Sequence, residues 1–125
     1  MRGIPVAPVL LFALGLLTGQ VHADANTISA AEAANHVGES AKVCGRVASA
    51  KYATETRRQP TFLNLDRPYP DQVFTALIWG SDRSAFSYPP ESLRGQRICV
   101  KGMIELYKGR AEIIVSRPSQ IEVKR

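Results

Sequence analysis

The feature that most limits the fold of this chain is an alternation of apolar and polar residues with a period of two. Between Ile98 and Leu106 every second residue is apolar or glycine, and residues such as Lys101 and Glu105 stand between them. Side chains of a β-strand point alternately to opposite faces, so this pattern predicts a strand with one buried face. Shorter segments with strand character lie at residues 42–47, 61–65, 73–79 and 111–116. We therefore predict an all-β chain with five short strands.

One segment ahead of these strands is predicted to be a short helix. Ser29 and Glu32 have the spacing of a capping box, in which the side chain of each residue accepts a hydrogen bond from the backbone amide of the other. Alanines follow, and Gly38 is a typical helix stop. Tight turns are expected at residues 81–86, with Ser81 or Asp82 as N-cap, and at residues 91–95 and 107–110.

Residues 1–23 have the order of regions that is typical of a secretory signal peptide. Arg2 supplies a basic start, residues 4–17 are apolar, and the segment ends in small residues at Ala23. A membrane-spanning helix needs roughly 20 apolar residues, and this run is shorter and interrupted by two prolines. We expect residues 1–23 to be removed and residues 24–125 to form one periplasmic or secreted domain without a membrane span.

Charge and motif content argue against catalysis. The formal net charge of the whole chain is +5, a mild basic excess that permits a polyanionic partner without requiring one. Metal-dependent hydrolysis needs clustered carboxylates, whereas Asp66, Asp71 and Asp82 lie in separate turn-like segments. The sequence contains neither a glycine-rich phosphate loop nor a recognisable Ser–His–Asp set. We therefore expect no enzymatic activity and no cofactor.

The two cysteines, Cys44 and Cys99, both follow the predicted cleavage point. Disulfides persist in the compartments that exported proteins reach, so an even count favours pairing. A structural zinc site needs four ligands, and the segment after the cleavage point offers only these two thiols and His36. We therefore expect no metal site.

Several segments occur in an order that is known from one group of domains. They are residues 43–47 (VCGRV), 60–65 (PTFLNL), 74–80 (FTALIWG), 94–110 (RGQRICVKGMIELYKGR), Ile113 and 119–121 (SQI). In this order they resemble the OB-fold nucleic-acid-binding domains of the anticodon-binding type. That group includes the N-terminal domain of the exonuclease VII large subunit and the anticodon domain of aspartyl-tRNA synthetase. Short exported bacterial proteins that consist of this domain alone are similar as well.

The resemblance implies a fold and a place for a ligand. The fold is a five-stranded Greek-key barrel, and the ligand lies across strands two and three, framed by the loop between strands one and two and the loop between strands four and five. Alternation would place residues 62 and 64 of strand two and residues 75, 77 and 79 of strand three on the outer side. The expected contact residues are Lys51, Tyr52, Arg57, Arg58, Phe62, Asn64, Thr75, Trp79, Tyr107, Lys108 and Arg110.

Rings and cations in this arrangement are what a single nucleic-acid strand needs, because bases stack on rings and phosphates attract cations. The resemblance thus implies a monomeric binding module for single-stranded DNA or RNA. An envelope adaptor that uses the same face for a protein or an oligosaccharide is the alternative.

The resemblance also implies how the cysteines pair. Cys44 and Cys99 are each out of phase with the core-facing residues of their strands, so both sulfurs should lie on the outer side of the sheet. Strands one and four are antiparallel neighbours in the OB arrangement, which brings the two cysteines within reach of a disulfide. Two half-buried free thiols are the alternative.

Export with cleavage after Ala23 or Ala25 is the first testable prediction. Mass spectrometry of protein recovered from the producing cell should give a mature N-terminus at Asp24 or Asn26, because a signal peptide is cut after small residues. A membrane-bound species that keeps Met1 would rule the prediction out.

Overall fold

The computed structural model describes residues 26–125, so the predicted signal peptide lies outside the described residues. This part of the chain is mostly β-sheet. Its strands are β1 (Thr27–Ser29), β2 (Ser40–Tyr52), β3 (Thr61–Leu65), β4 (Phe74–Ile78), β5 (Arg97–Met103), β6 (Glu105–Tyr107), β7 (Arg110–Ile114) and β8 (Ile121–Lys124). Short 3₁₀ segments occur at Ala30–His36, Gly80–Ala85, Pro90–Leu93 and Pro118–Gln120. No helix within residues 26–125 has the length and apolar character that a membrane crossing needs.

One sheet contains all eight strands, and β2 lies near its centre. The order across the sheet is β6-β7-β4-β3-β2-β5-β8, and β1 pairs with β2 in addition. The β1–β2 and β4–β7 pairs are parallel, and the remaining pairs are antiparallel. Strand β2 has two antiparallel partners in succession, β5 along residues 40–46 and β3 along residues 47–52.

The register of β2 shifts between Val47 and Ser49. A shift of one residue reverses which side chains of a strand face the core. Before the shift, Val43 and Val47 are buried. After it, Ala50 packs against the core opposite the buried Leu63, and the exposed Lys51 points outward.

The side chains on the inner side of the sheet form one hydrophobic core. Its largest fully buried members come from strands β2 to β5, from β7 and from the short connections beside them. They are Phe74, Leu63, Leu65, Ile78, Ile98, Ile104, Ile113, Val43, Val47, Val100 and Val115. Burial of such a side chain stabilises the fold by roughly 1.5–3 kcal/mol, so this core is the main source of stability.

The predicted five-stranded barrel is corrected by the structure, which has eight strands in a sheet that is not closed. All five predicted strands are present, and β3 has the predicted bounds. The sequence pattern does not reveal β1 and β8, because three or four residues are too few to show a period of two. Ile104 lies outside the ladder, so the predicted strand at residues 98–106 is divided into β5 and β6.

The open seam of the sheet lies between β5 and β7, which no backbone ladder joins within residues 26–125. The side chain of Gln120 bridges this seam. Its Nε2 donates to the carbonyl oxygens of Lys101 at 2.9 Å and Ile114 at 3.2 Å. Gly102 allows the close approach, since a Cβ at this position would lie 2.7 Å from Cγ2 of Ile113. A side-chain amide therefore takes the place of strand pairing.

The predicted N-terminal helix is a 3₁₀ segment whose capping box is confirmed. The Glu32 amide donates to Ser29 Oγ at 3.2 Å, and the Ser29 amide donates to Glu32 Oε1 at 2.9 Å. The Ser29 hydroxyl also donates to Glu32 Oε1 at 3.1 Å, and the hydrogen bonds from the Ser29 amide and hydroxyl to this carboxylate hold the pKa of Glu32 below its ordinary value. In the later segment at residues 80–85 the N-cap residue is Trp79, without a side-chain hydrogen bond, so the prediction of Ser81 or Asp82 as N-cap is wrong.

The predicted disulfide between Cys44 and Cys99 is confirmed. The two residues are directly opposite each other on β2 and β5, with their Cα atoms 4.0 Å apart. This separation is well inside the ~7 Å limit for a disulfide bridge. The bond cross-links two neighbouring strands in the half of the sheet that also contains β1 and β8.

Removal of the disulfide is expected to destabilise the domain while the fold is kept. Cys44→Ala with Cys99→Ala removes a cross-link between positions 55 residues apart. In the chain-entropy model a loop of this size contributes roughly 4 kcal/mol. Urea unfolding followed by circular dichroism should show a lower midpoint, and reduced wild-type protein should unfold at the midpoint of the variant. Equal midpoints for the variant and the oxidised wild type would contradict the prediction.

Candidate ligand-binding face

The part of β2 that follows the register shift, together with β3, β4 and β7, has an outward surface that is here called the outer face. Their register aligns its residues in rows across β2, β3, β4 and β7. The outer face consists of the row Ser49, Asn64, Thr75 and Glu112, the row Lys51, Phe62, Leu77 and Ile114, and the flanking residues Trp79, Glu105, Tyr107 and Arg110. Trp79 lies beyond Leu77 at one end, and Tyr107 and Arg110 lie beyond Glu112 at the other.

A cation–ring pair occupies the Trp79 end of the outer face. The Arg58 guanidinium carbon is 4.1 Å from the centre of the Trp79 ring. Arg58 has a positive φ of 65°, and its carbonyl accepts a hydrogen bond from the Gly80 amide at 2.9 Å. A Cβ at residue 80 would lie 2.8 Å from this carbonyl oxygen, so the close approach requires glycine. The loop that carries Arg58 is thereby fixed against the end of β4.

A second cation–ring pair lies at the opposite end of the face. Lys108 Nζ is 5.4 Å from the centre of the Tyr107 ring, and Tyr107 is 57% exposed. Gly109, in the turn expected at residues 107–110, has a positive φ of 80°. Arg110 Nη1 donates to the carbonyl oxygen of Gln72 at 2.9 Å, which connects the hairpin to the segment before β4.

The polar residues expected to contact a ligand in the middle of the face are buried. Asn64 is 3% exposed and Thr75 is 6% exposed. Thr75 Oγ1 donates to Asn64 Oδ1 at 2.9 Å, and Asn64 Nδ2 donates to Ser49 Oγ at 3.0 Å. The segment between β3 and β4 reaches the same group, since the Tyr69 amide also donates to Ser49 Oγ at 3.0 Å. Asn64 and Thr75 hold the strands together, and the prediction that they face a ligand is corrected.

Tyr52 is not brought to the outer face. It is paired with Thr61, which is completely buried, and its ring lies under the Arg83 guanidinium at 3.5 Å. Arg83 also donates to Thr61 Oγ1 and Glu91 Oε1, both at 2.7 Å, and this contact lowers the pKa of Glu91. The sequence pattern does not reveal Arg83, because its partners are far apart along the chain.

The remaining predicted cations are exposed, and within residues 26–125 none of them has a carboxylate partner. The ion pairs of this part of the chain involve other basic residues, namely His36, Lys42, Arg83 and Lys124. The exposed cations on or beside the outer face are Lys51, Arg57, Arg58, Lys108 and Arg110. A cation without a carboxylate partner keeps its charge available for a phosphate group.

Two carboxylates on the face were not among the predicted contacts. Glu112 is 9% exposed and lies directly opposite Glu105 on β6. Burial raises the pKa of Glu112, and the charge of Glu105 raises it further. Alternation along β7 places Glu112 on the outer side, so its position on this face could have been predicted from the sequence. A ligand on this face therefore meets a negatively charged row between the cations at its two ends.

Comparisons with known proteins agree on the fold. No family model matches the chain, and no curated protein matches its sequence. A protein from Leishmania major Friedlin described as an aspartyl-tRNA synthetase is similar in structure, with a TM-score of 0.50 and 14% identity over 89% of this chain. OBody AM2EP06, solved bound to hen egg-white lysozyme, has a TM-score of 0.51 and 16% identity over 87% of this chain.

The chain covers 23% of the synthetase and 96% of the OBody. At these identities the likeness shows the fold alone. It supports the OB-type fold that the sequence resemblance implies.

Replacement of Glu112 by glutamine is expected to stabilise the domain at neutral pH. The folded-state pKa of Glu112 lies above its ordinary value of 4.5, so folding favours the protonated form and the ionised form is destabilising. Glu112→Gln should raise the free energy of unfolding at pH 7 by about 0.2–1 kcal/mol, the scale of a cross-strand charge pair.

Urea unfolding at two pH values measures this effect. The difference between Glu112→Gln and wild type should disappear as the pH falls below 4.5, where the carboxyl is protonated in both folded and unfolded protein. The exposed Glu105→Gln is the matched control and should give a smaller gain, since it removes only the repulsion. A variant less stable than wild type at pH 7 would contradict the burial argument.

Proposed function

We propose that this protein binds single-stranded nucleic acid across the outer face and acts without catalysis. The observation that carries the proposal is the pairing of a ring with a cation at both ends of the face, Arg58 with Trp79 and Lys108 with Tyr107. Base stacking on such rings contributes about 1–3 kcal/mol per base, and nearby cations hold the phosphates. Export to the periplasm or beyond and a monomeric state belong to the same proposal, and the disulfide is compatible with an oxidising compartment.

The dimensions of the face fit a short strand. From Phe74, which is paired with Ala111 next to Arg110, to Trp79 the chain advances five residues, or about 17 Å at ~3.3 Å per residue. OB-fold sites hold roughly 4–16 nucleotides, and a face of this length suits the lower end of that range. Phe62 lies between the two cation–ring pairs and is partly exposed, so it offers a third ring. The phosphates would follow the cations at the rim, away from Glu105 and Glu112.

An adaptor that binds a protein is the second candidate, and the carboxylate row favours it. Glu105 and Glu112 repel phosphate groups but suit lysine or arginine side chains of a protein partner. The apolar row beside them, which includes Phe62 and Ile114, suits the centre of a protein interface. The two candidates differ in salt dependence, because only phosphate contacts release condensed counterions.

Loss of an aromatic ring from the outer face is expected to weaken oligonucleotide binding to a similar extent for all nucleotide sequences. Phe62→Ala or Trp79→Ala should raise the dissociation constant by about 5- to 150-fold, which corresponds to one stacked base at roughly 1–3 kcal/mol. Fluorescence titration with labelled single-stranded oligonucleotides of different sequence measures the effect. Phe62→Tyr keeps the ring and should stay within a few-fold of wild type. If wild-type protein gives no signal with micromolar oligonucleotide at low salt, the adaptor candidate replaces this proposal.

Loss of the loop cations is expected to change the salt dependence of the same binding. Arg57→Ala with Arg58→Ala removes two phosphate contacts, so the slope of log K against log salt should become shallower by about 1.4, at ~0.7 per contact for single strands. Arg94→Ala with Arg125→Ala removes two exposed cations outside the outer face and should leave the slope unchanged. Equal slopes for wild type and both variants would show that the loop does not touch phosphate.

A further inference from the structure

A second charged surface lies on the other half of the sheet, around the disulfide. Residues of β2 before the register shift, of β5 and of β8 alternate there between the core and the outside. Val43, Ile98 and Val100 are buried on the core side, and their neighbours lie on the opposite side, where Cys99 is covered and only 2% exposed whereas Arg97 and Lys101 are exposed. We call this outward surface the disulfide face. It consists of Lys42, Cys44, Arg46, Arg97, Cys99, Lys101, Met103, Glu122 and Lys124.

The disulfide face holds five cations and one carboxylate, on a chain whose formal net charge is +5. The carboxylate, Glu122, is shared by Lys42 Nζ at 3.0 Å and Lys124 Nζ at 3.4 Å, and the two lysines lower its pKa. Arg46, Arg97 and Lys101 are exposed and have no carboxylate partner within residues 26–125. Five cations against one carboxylate leave a local excess of four positive charges on one side of three strands.

The register places these like charges directly opposite one another. Lys42 is paired with Lys101, and Arg97 is paired with both Arg46 and Lys124. Like charges in directly opposed positions destabilise a sheet, so the needs of folding do not explain this arrangement. A negatively charged surface placed against the face would offset the repulsion.

We propose that the disulfide face docks onto an anionic phospholipid bilayer. The two rows of cations are four residues apart along β2, or about 13 Å, so their charges are spread over one side of a sheet. Lysine and arginine beside an anionic membrane are each attracted by the negative surface potential. Long cationic side chains also keep their charged ends at the level of the lipid headgroups.

Two further features of the face distinguish a bilayer from a nucleic-acid strand. None of the face positions carries an aromatic ring, so bases have no stacking platform there. Met103 lies beside Ser40 on the same side, two positions after Lys101, and is 49% exposed. An exposed, flexible apolar side chain beside cations suits the boundary between headgroups and acyl chains.

Vesicle sedimentation tests the proposal with the purified protein. Wild-type protein should sediment with vesicles of phosphatidylcholine and phosphatidylglycerol at low salt and should not sediment with phosphatidylcholine alone. At about 0.5 M salt, where the Debye length is about 4 Å, the protein should be released. Arg97→Ala with Lys101→Ala should lower the partition coefficient about 30-fold, at roughly fivefold per cation. Circular dichroism verifies folding, and Lys101→Gln alone, which should cost about fivefold, replaces a double variant that does not fold.

Arg57→Ala with Arg58→Ala is the matched control, because it removes equal charge from the outer face and should leave vesicle binding unchanged. All variants share one N-terminus, so residues 1–25 do not affect the comparison. Wild-type protein that does not bind the anionic vesicles, or equal losses in the two double variants, would overturn the proposal. Loss of oligonucleotide binding in the Arg97/Lys101 variant with vesicle binding intact would assign the face to nucleic acid instead. Failure of the outer face to bind oligonucleotide would leave the vesicle result unaffected.

Discussion

The register shift in β2 is the constraint on which the rest of the structure depends. Strand β2 has thirteen residues and pairs with β1, β5 and β3. The shift between Val47 and Ser49 comes after the residues paired with β1 and β5, at the start of the β2–β3 ladder. The inserted residue changes which side of the strand faces the core. Even-numbered residues point outward in the first half and odd-numbered residues in the second, so one strand supplies both the disulfide face and the outer face.

Hydrogen bonds between Arg46 and Asp66 support β2 just before its register shift. The Arg46 amide donates to Asp66 Oδ1 at 3.0 Å, and the Asp66 amide donates to the Arg46 carbonyl at 2.8 Å. A Cβ at Gly45 would lie 2.8 Å from Asp66 Oδ1, so a larger residue there would displace the carboxylate that accepts from the Arg46 amide. At the open seam, Gly102 allows β5 and β7 to approach closely. The side-chain amide of Gln120 donates there to carbonyl oxygens that lack a strand partner.

The two faces differ in how their charges are balanced. On the outer face, Arg58 and Lys108 lie over rings of the same protein, and the carboxylates of Glu105 and Glu112 stand in the row between them. On the disulfide face, cations oppose cations and share a single carboxylate. A cation stacked on a ring keeps its charge, so a base or a phosphate can still be bound beside it. The proposed ligands of the two faces accordingly differ in geometry: one extended strand and one broad anionic surface.

The sequence by itself determined the elements whose signals are local. The period of two predicted five strands, the capping box at Ser29 and Glu32 is confirmed, and the phase of Cys44 and Cys99, with the OB resemblance, predicted their disulfide. Tertiary structure decided which outward positions are accessible. Asn64 and Thr75 have outward phase yet are buried, because the segment between β3 and β4 reaches the strand beside them. Counting from the buried Val43 and Val47 would place Lys51 on the core side and Tyr52 on the outer side. The register shift reverses both positions, and a periodic pattern does not reveal such a shift. The charge pairing on both faces likewise depends on register between strands distant in sequence, which local periodicity does not encode.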